Sequence, residues 1–88
     1  MPEPFFSVVI PTCNRPQILH RCLTRLKEQT LPKEIPFEIL VGDDSHDDET
    51  RIFLEAHHPE TRWIRGAKKG PAANRNRAAQ QAHGQWII

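Results

Sequence analysis

The sequence predicts an α/β fold in which a mostly parallel sheet carries helices on both faces. Four short apolar segments of strand character alternate with three segments of helical character. This alternation is typical of right-handed strand–helix–strand units, which build parallel sheets. The strand segments are continuous apolar runs, as expected for strands buried on both faces. We therefore predict a Rossmann-like three-layer α/β/α arrangement with strand order 3-2-1-4.

The first half of the chain supplies two strands and one helix. The strands are predicted at Phe5 to Ile10 and Phe37 to Gly42, and Pro11 is expected to end the first. Asn14 is predicted to cap the intervening helix, with Pro16 in its first turn. Helical spacing gives that helix an apolar stripe of Ile18, Leu19, Cys22, Leu23 and Leu26.

The second half repeats the alternation. Ser45 or Asp47 is predicted to cap the second helix, which places Asp47, Asp48 and Glu49 in its first turn, where the helix dipole favours anions. Its buried side is predicted to consist of Ile52, Phe53 and Ala56. A third strand at Thr61 to Arg65 precedes a helix that begins near Pro71. That helix has a small-residue side made of Ala72, Ala78, Ala79 and Ala82, and Gln85 to Ile88 forms the fourth strand.

The composition sets limits on the partners. The chain has 88 residues, 12 lysines and arginines, and 11 acidic residues, so its net charge is +1. This balance favours neither nucleic acid nor an anionic membrane. No apolar run approaches the roughly 20 residues of a spanning helix, and the N-terminus does not resemble a signal peptide. With only Cys13 and Cys22, we predict no disulfide framework and a reduced, cytoplasmic protein.

The topology brings two loops to one place. In a sheet of this order, ligands bind beyond the carboxyl ends of the strands, at the switch point. Pro11, Thr12 and Asn14 follow the first strand, and Asp43 and Asp44 follow the second. We predict that these residues border a common crevice, with Thr12 and Asp43 at the same rim.

Three blocks of the sequence carry a resemblance. They are SVVIPTCNRPQILHRCLTRLKEQ, FEILVGDDSHDDET and KKGPAANRNRAAQQAHGQWII. In this order they resemble the N-terminal half of family-2 glycosyltransferases, which have the GT-A fold. The resemblance implies that residues 1–88 are a single partial domain, the nucleotide-sugar-binding half of a truncated GT-A domain. Members of this family transfer a sugar from a nucleotide-sugar donor, often a UDP-sugar, to an acceptor.

The resemblance also implies binding roles. Asp43 is expected to accept a hydrogen bond from the uracil N3–H, since an ionised carboxylate is an acceptor only. Asp44 is expected to serve the ribose or the local turn. The full binding set implied by the resemblance is Pro11, Thr12, Asn14, Asp43, Asp44, Arg75 and Asn76, of which the last two would lie near the diphosphate.

Two departures from the family pattern affect the expected activity. The position after Thr12 is often aromatic in the family and can stack on the base, whereas here it is Cys13. The family's acidic metal motif and general base lie beyond the segment that matches. We therefore expect a divalent metal, Mg²⁺ or Mn²⁺, in the full-length enzyme, no metal in this segment, no catalytic residue and no transfer by the segment alone.

Several residues have simpler interpretations. A metal site of Asp43, His46 and Asp47 is conceivable, but helix capping explains the acids better. His57 and His58 suit a helix C-terminus and are poorly placed for chelation. Lys68 and Lys69 could bind phosphate or form a solvated loop. Cys13 is expected to be a small buried filler and Cys22 part of the core, and Trp63 and Trp86 are expected to pack against helices.

A second hypothesis is a non-enzymatic α/β module. The fourth strand would be an apolar edge, and such edges pair with other copies. This hypothesis predicts a homodimer or a swapped oligomer. A receiver-like signalling domain is disfavoured because Pro11 to Asn14 occupies the place where such domains carry an acidic pair.

Overall fold

The structure is a computed structural model that describes residues 6–28, 37–84 and 86–87. It has seven elements: β1 (Phe6–Thr12), α1 (Pro16–Glu28), β2 (Phe37–Asp43), α2 (Glu49–His57), β3 (Arg62–Arg65), α3 (Pro71–Ala79) and β4 (Trp86–Ile87). The strands form one parallel sheet in the order β3-β2-β1-β4. The predicted α/β class, with a parallel sheet and three helices, is confirmed.

The pairing of β1 with β2 is the longest in the sheet. It runs from Phe6 opposite Phe37 to Thr12 opposite Asp43, so both strands end at the same edge. β3 reaches that edge too, because Arg65 is opposite Asp43. β4 is short and pairs with Phe6 and Ser7, at the amino-terminal end of β1. Phe5, Gln85 and Ile88, which belong to the predicted strands, lie outside the described residues.

The two faces of β2 bury different helices. Ile39 and Val41 pack with Leu54 of α2 and with the two buried leucines of α1, Leu19 and Leu23. Leu40 points to the opposite face, because side chains alternate along a strand, and α3 packs on that face with Ala78 fully buried. Each fully buried leucine stabilises the fold by about 1.5–3 kcal/mol.

Two predicted apolar faces are wrong in part. On α1, Leu19 and Leu23 are buried, but Ile18 is 58% exposed and Cys22 is exposed as well. The reason is that the sheet extends under only one side of this helix. On α2 the buried residues are Thr50 and Leu54. The residues predicted for its buried side are exposed or half-buried: Ile52, Phe53 and Ala56.

Pro11 does not end β1, contrary to the prediction. The strand continues to Thr12, and Pro11 is opposite Gly42. Within the described residues β4 pairs only with Phe6 and Ser7. At Pro11 that side of β1 is therefore an open edge, where a residue without an N–H is tolerated. The part of the chain that the structure describes contains no helix long and apolar enough to cross a membrane.

Glu38 ties together the strand ends that lie away from the crevice. Its carboxylate accepts hydrogen bonds from the Ser7 hydroxyl at 2.7 Å, from Arg62 at 2.8 Å and from the backbone N–H of His83 at 2.6 Å. Burial acts to raise the pKa of Glu38, but these three donors together hold the pKa below its ordinary value. The Ser7 hydroxyl also accepts the N–H of Gly84 at 2.8 Å, so this network fixes where the chain enters β4.

Replacing Glu38 with glutamine should destabilise the fold. An amide nitrogen would face donors in place of an acceptor, so we expect a loss of about 1–3 kcal/mol in the free energy of unfolding. Urea denaturation at pH 7 measures this loss. Glu55→Gln is the matched control, because Glu55 forms an exposed pair with Arg51 and such pairs contribute at most about 1 kcal/mol. Equal losses in the two variants would contradict the structural role of Glu38.

The same carboxylate predicts a pH dependence. Because the pKa of Glu38 is lowered in the folded state, its stabilisation is present above the ordinary value of 4.5 and is lost as pH falls below that value. The stability difference between the wild type and Glu38→Gln should therefore shrink from pH 6 to pH 3. A difference that stays constant over this range would show that the carboxylate is not held ionised.

Candidate functional site

The site begins where β1, β2 and β3 end together. Past the strand ends, the backbone N–H of Asp44 donates to the carbonyl of Thr12 at 3.0 Å. The N–H of Gly66 donates to the carbonyl of Asp43 at 2.7 Å. These two bonds continue the hydrogen-bond ladders from β2 to β1 and from β2 to β3 by one residue beyond the strand ends. As predicted, Thr12 and Asp43 lie at the same rim.

Asp43 is buried beneath this rim. Its side chain is 2% exposed and both of its oxygens are bound. One oxygen accepts the backbone N–H of Ser45 at 2.9 Å, and the other accepts the indole N–H of Trp63 at 2.8 Å. Trp63 lies on β3 and packs, as expected, against the core cluster that includes Leu54 of α2. The guanidinium of Arg65 lies 5.0 Å from its ring centre. Asp43 therefore holds the β2–α2 loop to β3.

Asn14 joins the loops that follow β1 and β2. Its backbone N–H donates to the Ser45 hydroxyl at 2.7 Å, and its side-chain oxygen accepts the N–H of His46 at 3.0 Å. Asn14 has φ of 54°, a left-handed conformation that asparagine tolerates better than most residues. The predicted cap of α1 by Asn14 is wrong, because this conformation turns the side chain toward His46.

Asp44 lies above the rim, one residue beyond Asp43. One of its carboxylate oxygens accepts the backbone N–H of Lys68 at 2.9 Å. No other hydrogen bond reaches this carboxylate from residues 6–28, 37–84 or 86–87. Gly66 makes room for it, since a Cβ at Gly66 would collide with the Asp44 side chain. Asp44 is half-buried and faces the cavity described below.

Asn74 anchors α3 to the strand ends. Its side chain is 2% exposed, and its amide nitrogen donates to the carbonyls of Gly42 at 2.8 Å and Thr12 at 3.5 Å. Its amide oxygen is buried without a partner among the described residues. Side chains at Gly42 or Gly66 would crowd this oxygen, because an added Cβ would lie 2.6 Å from it in either case. The two glycines thus permit close packing of α3 on the sheet.

These elements enclose a cavity of about 940 Å³. Its floor is the end of β1, one wall is α1 and the opposite wall is the start of α3. Its polar lining includes Thr12, Asn14, Arg15, Asp44, His46, Lys68 and Asn74. Its apolar lining includes Ile10, Pro11, Ile18, Leu19, Cys22 and Pro71. The volume falls in the range of small-molecule sites, which is about 300–1,000 Å³.

The structure brings together some of the predicted residues and leaves others apart. Four of them line the cavity: Pro11, Thr12, Asn14 and Asp44. Asp43 does not line it, since its side chain lies below the rim. Arg75 and Asn76 do not line it either, and both are exposed. The reason is helical geometry: Asn74 and Ala78 share the face of α3 that packs on the sheet, which turns the following residues outward.

Sequence reasoning did not find Asn74 or Arg15 as members of this lining. It left open whether Lys68 binds phosphate or is solvated, and Lys68 lines the cavity. A signal for Asn74 exists in the sequence, because it lies four residues before Ala78 on the small-residue side of the helix. α3 also contains Asn76, and the sequence reading selected Asn76 in place of Asn74. Lys68 reaches the cavity through a left-handed backbone, with φ of 59°, which the residue pattern does not indicate.

The acids at the start of α2 satisfy the predicted roles only in part. The side chain of Asp47 accepts the backbone N–H of Glu49, the first residue of the helix, at 3.0 Å. The helix begins at Glu49, and Asp48 occupies the cap position without a side-chain hydrogen bond to the helix. Ser45 is buried, with its hydroxyl bound to Asn14 and 3.3 Å from that of Thr50. The hydrogen bond and charge of Arg51, aided by Arg65, hold the pKa of Asp48 below its ordinary value.

No group of three or more His, Cys, Asp or Glu side chains in the described part of the chain is arranged to hold a metal ion. The conceivable site of Asp43, His46 and Asp47 is therefore not formed. The expected burial of both cysteines is also wrong. Cys13 and Cys22 are free and exposed, and both contribute to the wall of the cavity.

Comparisons with known proteins agree on one family. Residues 7–88 match the family model described as glycosyl transferase family 2. The chain is 31% identical over 87 residues to the poly(ribitol-phosphate) beta-N-acetylglucosaminyltransferase TarS of Staphylococcus aureus, and this match covers 94% of the chain and 15% of TarS. It is 34% identical over 85 residues to the glycosyltransferase AglE of Haloferax volcanii, covering 92% of the chain and 28% of AglE.

The same likeness appears in three dimensions. The crystal structure of S. aureus TarS superposes with a TM-score of 0.75 at 31% identity, covering 96% of this chain and 16% of that one. The chain thus spans less than a third of the length of these relatives.

Replacing Asp43 with asparagine should destabilise the fold without removing a cavity-lining group. An amide nitrogen would face either the Ser45 N–H or the Trp63 indole, so we expect a loss of about 1–3 kcal/mol in unfolding free energy. Urea denaturation followed by tryptophan fluorescence measures it. Asp47→Asn is the control, because Asp47 is exposed in the same loop. A loss no larger than that of the control would contradict the anchoring role.

Proposed function

The chain belongs to glycosyl transferase family 2, and we propose that its cavity binds the nucleotide part of a nucleotide-sugar donor, a UDP-sugar. The full protein would then transfer the sugar from this donor to an acceptor. The observation that carries the proposal is that Thr12 and Asp44, from neighbouring strand ends, line one cavity of about 940 Å³. Ligand sites in open parallel sheets lie at this place.

In this proposal Asp44, and not Asp43, reads the base. Asp43 is buried and both of its oxygens already accept hydrogen bonds from Ser45 and Trp63. Asp44 faces the cavity and uses one oxygen for the Lys68 backbone, which leaves the other for a ligand. A uracil ring offers one donor, its N3–H, and an ionised carboxylate is the matching acceptor.

Basic groups in the lining of the cavity suit the diphosphate. Lys68 and Arg15 line the cavity, as do Gly70 and Pro71 at the start of α3. The N-terminus of a helix attracts anions through its free N–H groups and its dipole. Arg75 and Asn76 stay outside this part of the proposal, because both are exposed on α3 and do not line the cavity.

The apolar wall suits the flat face of a base. Ile18 and Cys22 of α1 and Ile10 of β1 line it, so a base could lose water contact there without an aromatic side chain. Cys13 is exposed beside them, and its sulfur lies 3.4 Å from the Asn14 amide nitrogen that donates to it. A base bound without aromatic stacking is held less tightly, so we propose weak binding.

The proposal covers binding and not the transfer step. We propose that the Mg²⁺ or Mn²⁺ expected for the full enzyme is held by residues outside this segment. In support, the described residues contain no group of three or more His, Cys, Asp or Glu side chains placed to hold a metal ion. We propose that residues 1–88 alone do not catalyse transfer. The two free cysteines support the further proposal of a reduced, cytoplasmic setting.

Calorimetric titration tests the role of Asp44. We expect the wild type to bind UDP, and Asp44→Ala to bind it about tenfold to a hundredfold more weakly, because a hydrogen bond to a charged group contributes about 1.5–3 kcal/mol. Asp47→Ala is the control, since it removes an acid from the same loop that does not line the cavity. Equal affinities of Asp44→Ala and the wild type would refute the assignment.

A modified ligand makes this test sharper. UDP methylated at N3 lacks the donor, so the wild type should bind it more weakly than UDP. The Asp44→Ala variant should bind the two ligands equally, because it has no carboxylate to accept the N3–H of UDP. If the wild type binds both ligands equally, the base is not read at N3.

Self-association is the second candidate. Ile87 of the edge strand β4 is 54% exposed, and an apolar edge favours pairing with another copy. This alternative predicts a homodimer or swapped oligomer in sedimentation equilibrium, and dissociation by Ile87→Lys. Only monomers at high protein concentration would contradict it.

A further inference from the structure

A cluster of basic side chains lies on the α1–α2 side of the molecule. The Nδ1 of His20 is 2.9 Å from the Nε2 of His58, and the Nδ1 of His58 is 2.6 Å from the Nζ of Lys27. His20 and Lys27 belong to α1, whereas His58 follows the last residue of α2. We call these three side chains the imidazole latch, because they join α1 to the turn between α2 and β3.

The geometry fixes the positions of the hydrogens in the latch. A lysine ammonium has only donors, so the Nδ1 of His58 must accept from Lys27. The proton of a neutral His58 ring is then on Nε2, where it donates to the Nδ1 of His20. His20 must therefore carry its own proton on Nε2. Each ring is neutral and each contact has one donor and one acceptor.

An additional proton on a contacting nitrogen of either ring would place two hydrogen-bond donors face to face. A proton on the Nδ1 of His20 would face the N–H of His58. If the His58 ring switched tautomer to accept that proton, its Nδ1–H would face the Lys27 ammonium. Protonation of either ring thus puts two donors in contact at 2.9 Å or at 2.6 Å, which turns an attraction into a repulsion.

The contacts of His58 are buried, so water does not replace a lost hydrogen bond there. His58 is 5% exposed. The charged and titratable groups that face it are Lys27 and His20 from α1, His57 from the end of α2, and Glu60 from the turn, whose carboxylate pairs with Lys27. Phe53 packs edge-on against His20, with ring centres 5.3 Å apart. Burial lowers the pKa of Lys27 below its ordinary value of 10.5. The Glu60 carboxylate pairs with Lys27 and does not contribute a bond to either imidazole in the described structure.

We propose that the imidazole latch is a pH-sensitive device that holds α1 on the α2–β3 turn when His20 and His58 are neutral and releases it when either is protonated. The latch is independent of the nucleotide cavity, since none of its three side chains lines that cavity. It acts on α1, whose other turns carry Ile18 and Cys22 to the cavity wall.

The direction of the pH effect follows from burial. Burial, and then the charges of Lys27, His20 and His57, lower the pKa of His58 below its ordinary value of 6.5. The unfolded chain therefore binds this proton at a higher pH than the folded one. Stability is complete above the unfolded value and falls as the pH drops through and below 6.5.

Urea denaturation between pH 7.5 and pH 5.5 tests the latch. In the wild type the equilibrium constant for unfolding should rise as the pH falls, by up to about tenfold per pH unit for each proton taken up on unfolding. His58→Gln should flatten this dependence, since it removes the titrating ring. His83→Gln is the control, because His83 is exposed and meets Glu38 only through its backbone N–H. The proposal is overturned if His58→Gln keeps the wild-type slope or if His83→Gln flattens it as much.

Nitrogen NMR of the wild-type protein at pH 8 tests the same proposal without a variant. We expect His58 to be neutral with its proton on Nε2, and the Nδ1 of His20 to be the unprotonated acceptor of that hydrogen bond. A proton on the Nδ1 of either ring would overturn the hydrogen-bond order, and with it the latch.

Discussion

The alignment of β1 with β2 is the constraint on which the rest of the molecule depends. Seven residue pairs, from Phe6 with Phe37 to Thr12 with Asp43, set the two strands level at both edges of the sheet. Because the strands are parallel, both carboxyl ends emerge on one side. The bonds from Asp44 to Thr12 and from Gly66 to Asp43 then hold the loops of β1, β2 and β3 around one hollow. A shift of one residue would turn each β2 side chain to the other face and separate these groups.

The two adjacent aspartates show how burial separates structural from binding roles. A buried carboxylate is tolerated only when donors satisfy it, and Asp43 meets this condition through Ser45 and Trp63. Asp44 follows it and, by the alternation of the extended chain, points the other way, into the cavity. The first acid therefore shapes the loop that presents the second. Under the proposed function, the acid that reads the base owes its position to a neighbour that the base does not contact.

Sequence reasoning found the architecture because the strands are continuous apolar runs separated by helical periods, and these are local signals. It also found the crevice, since parallel strand ends must share an edge. It did not find that Asp43 is buried, because the bond from Trp63 spans 20 positions in the chain and no local pattern reports such a contact. The left-handed backbone of Asn14 was missed for the same reason. Asn74 was missed although its spacing from Ala78 is a local signal.

The amino-terminal and carboxyl-terminal ends of the strands differ in how completely their polar groups are paired. At the edge away from the cavity, Glu38 gathers Ser7, Arg62 and His83 into a fully paired network. At the carboxyl ends of the strands, Asp44 keeps one oxygen without a partner among the described residues. Arg15 and Lys68 line the same cavity. A ligand site requires polar groups that have no hydrogen-bond partner within the protein. The carboxyl ends of these strands provide such a group.

The most direct measurement is a titration of the isotope-labelled chain with UDP, followed by amide NMR. Our account predicts that the signals of Thr12, Asp44 and Lys68, at the cavity edge, shift with increasing UDP. The signals of Ser7, Glu38 and His83, at the opposite edge, should stay in place. Shifts concentrated at the opposite edge, or no shift at millimolar UDP, would contradict a nucleotide site between Thr12 and Asp44.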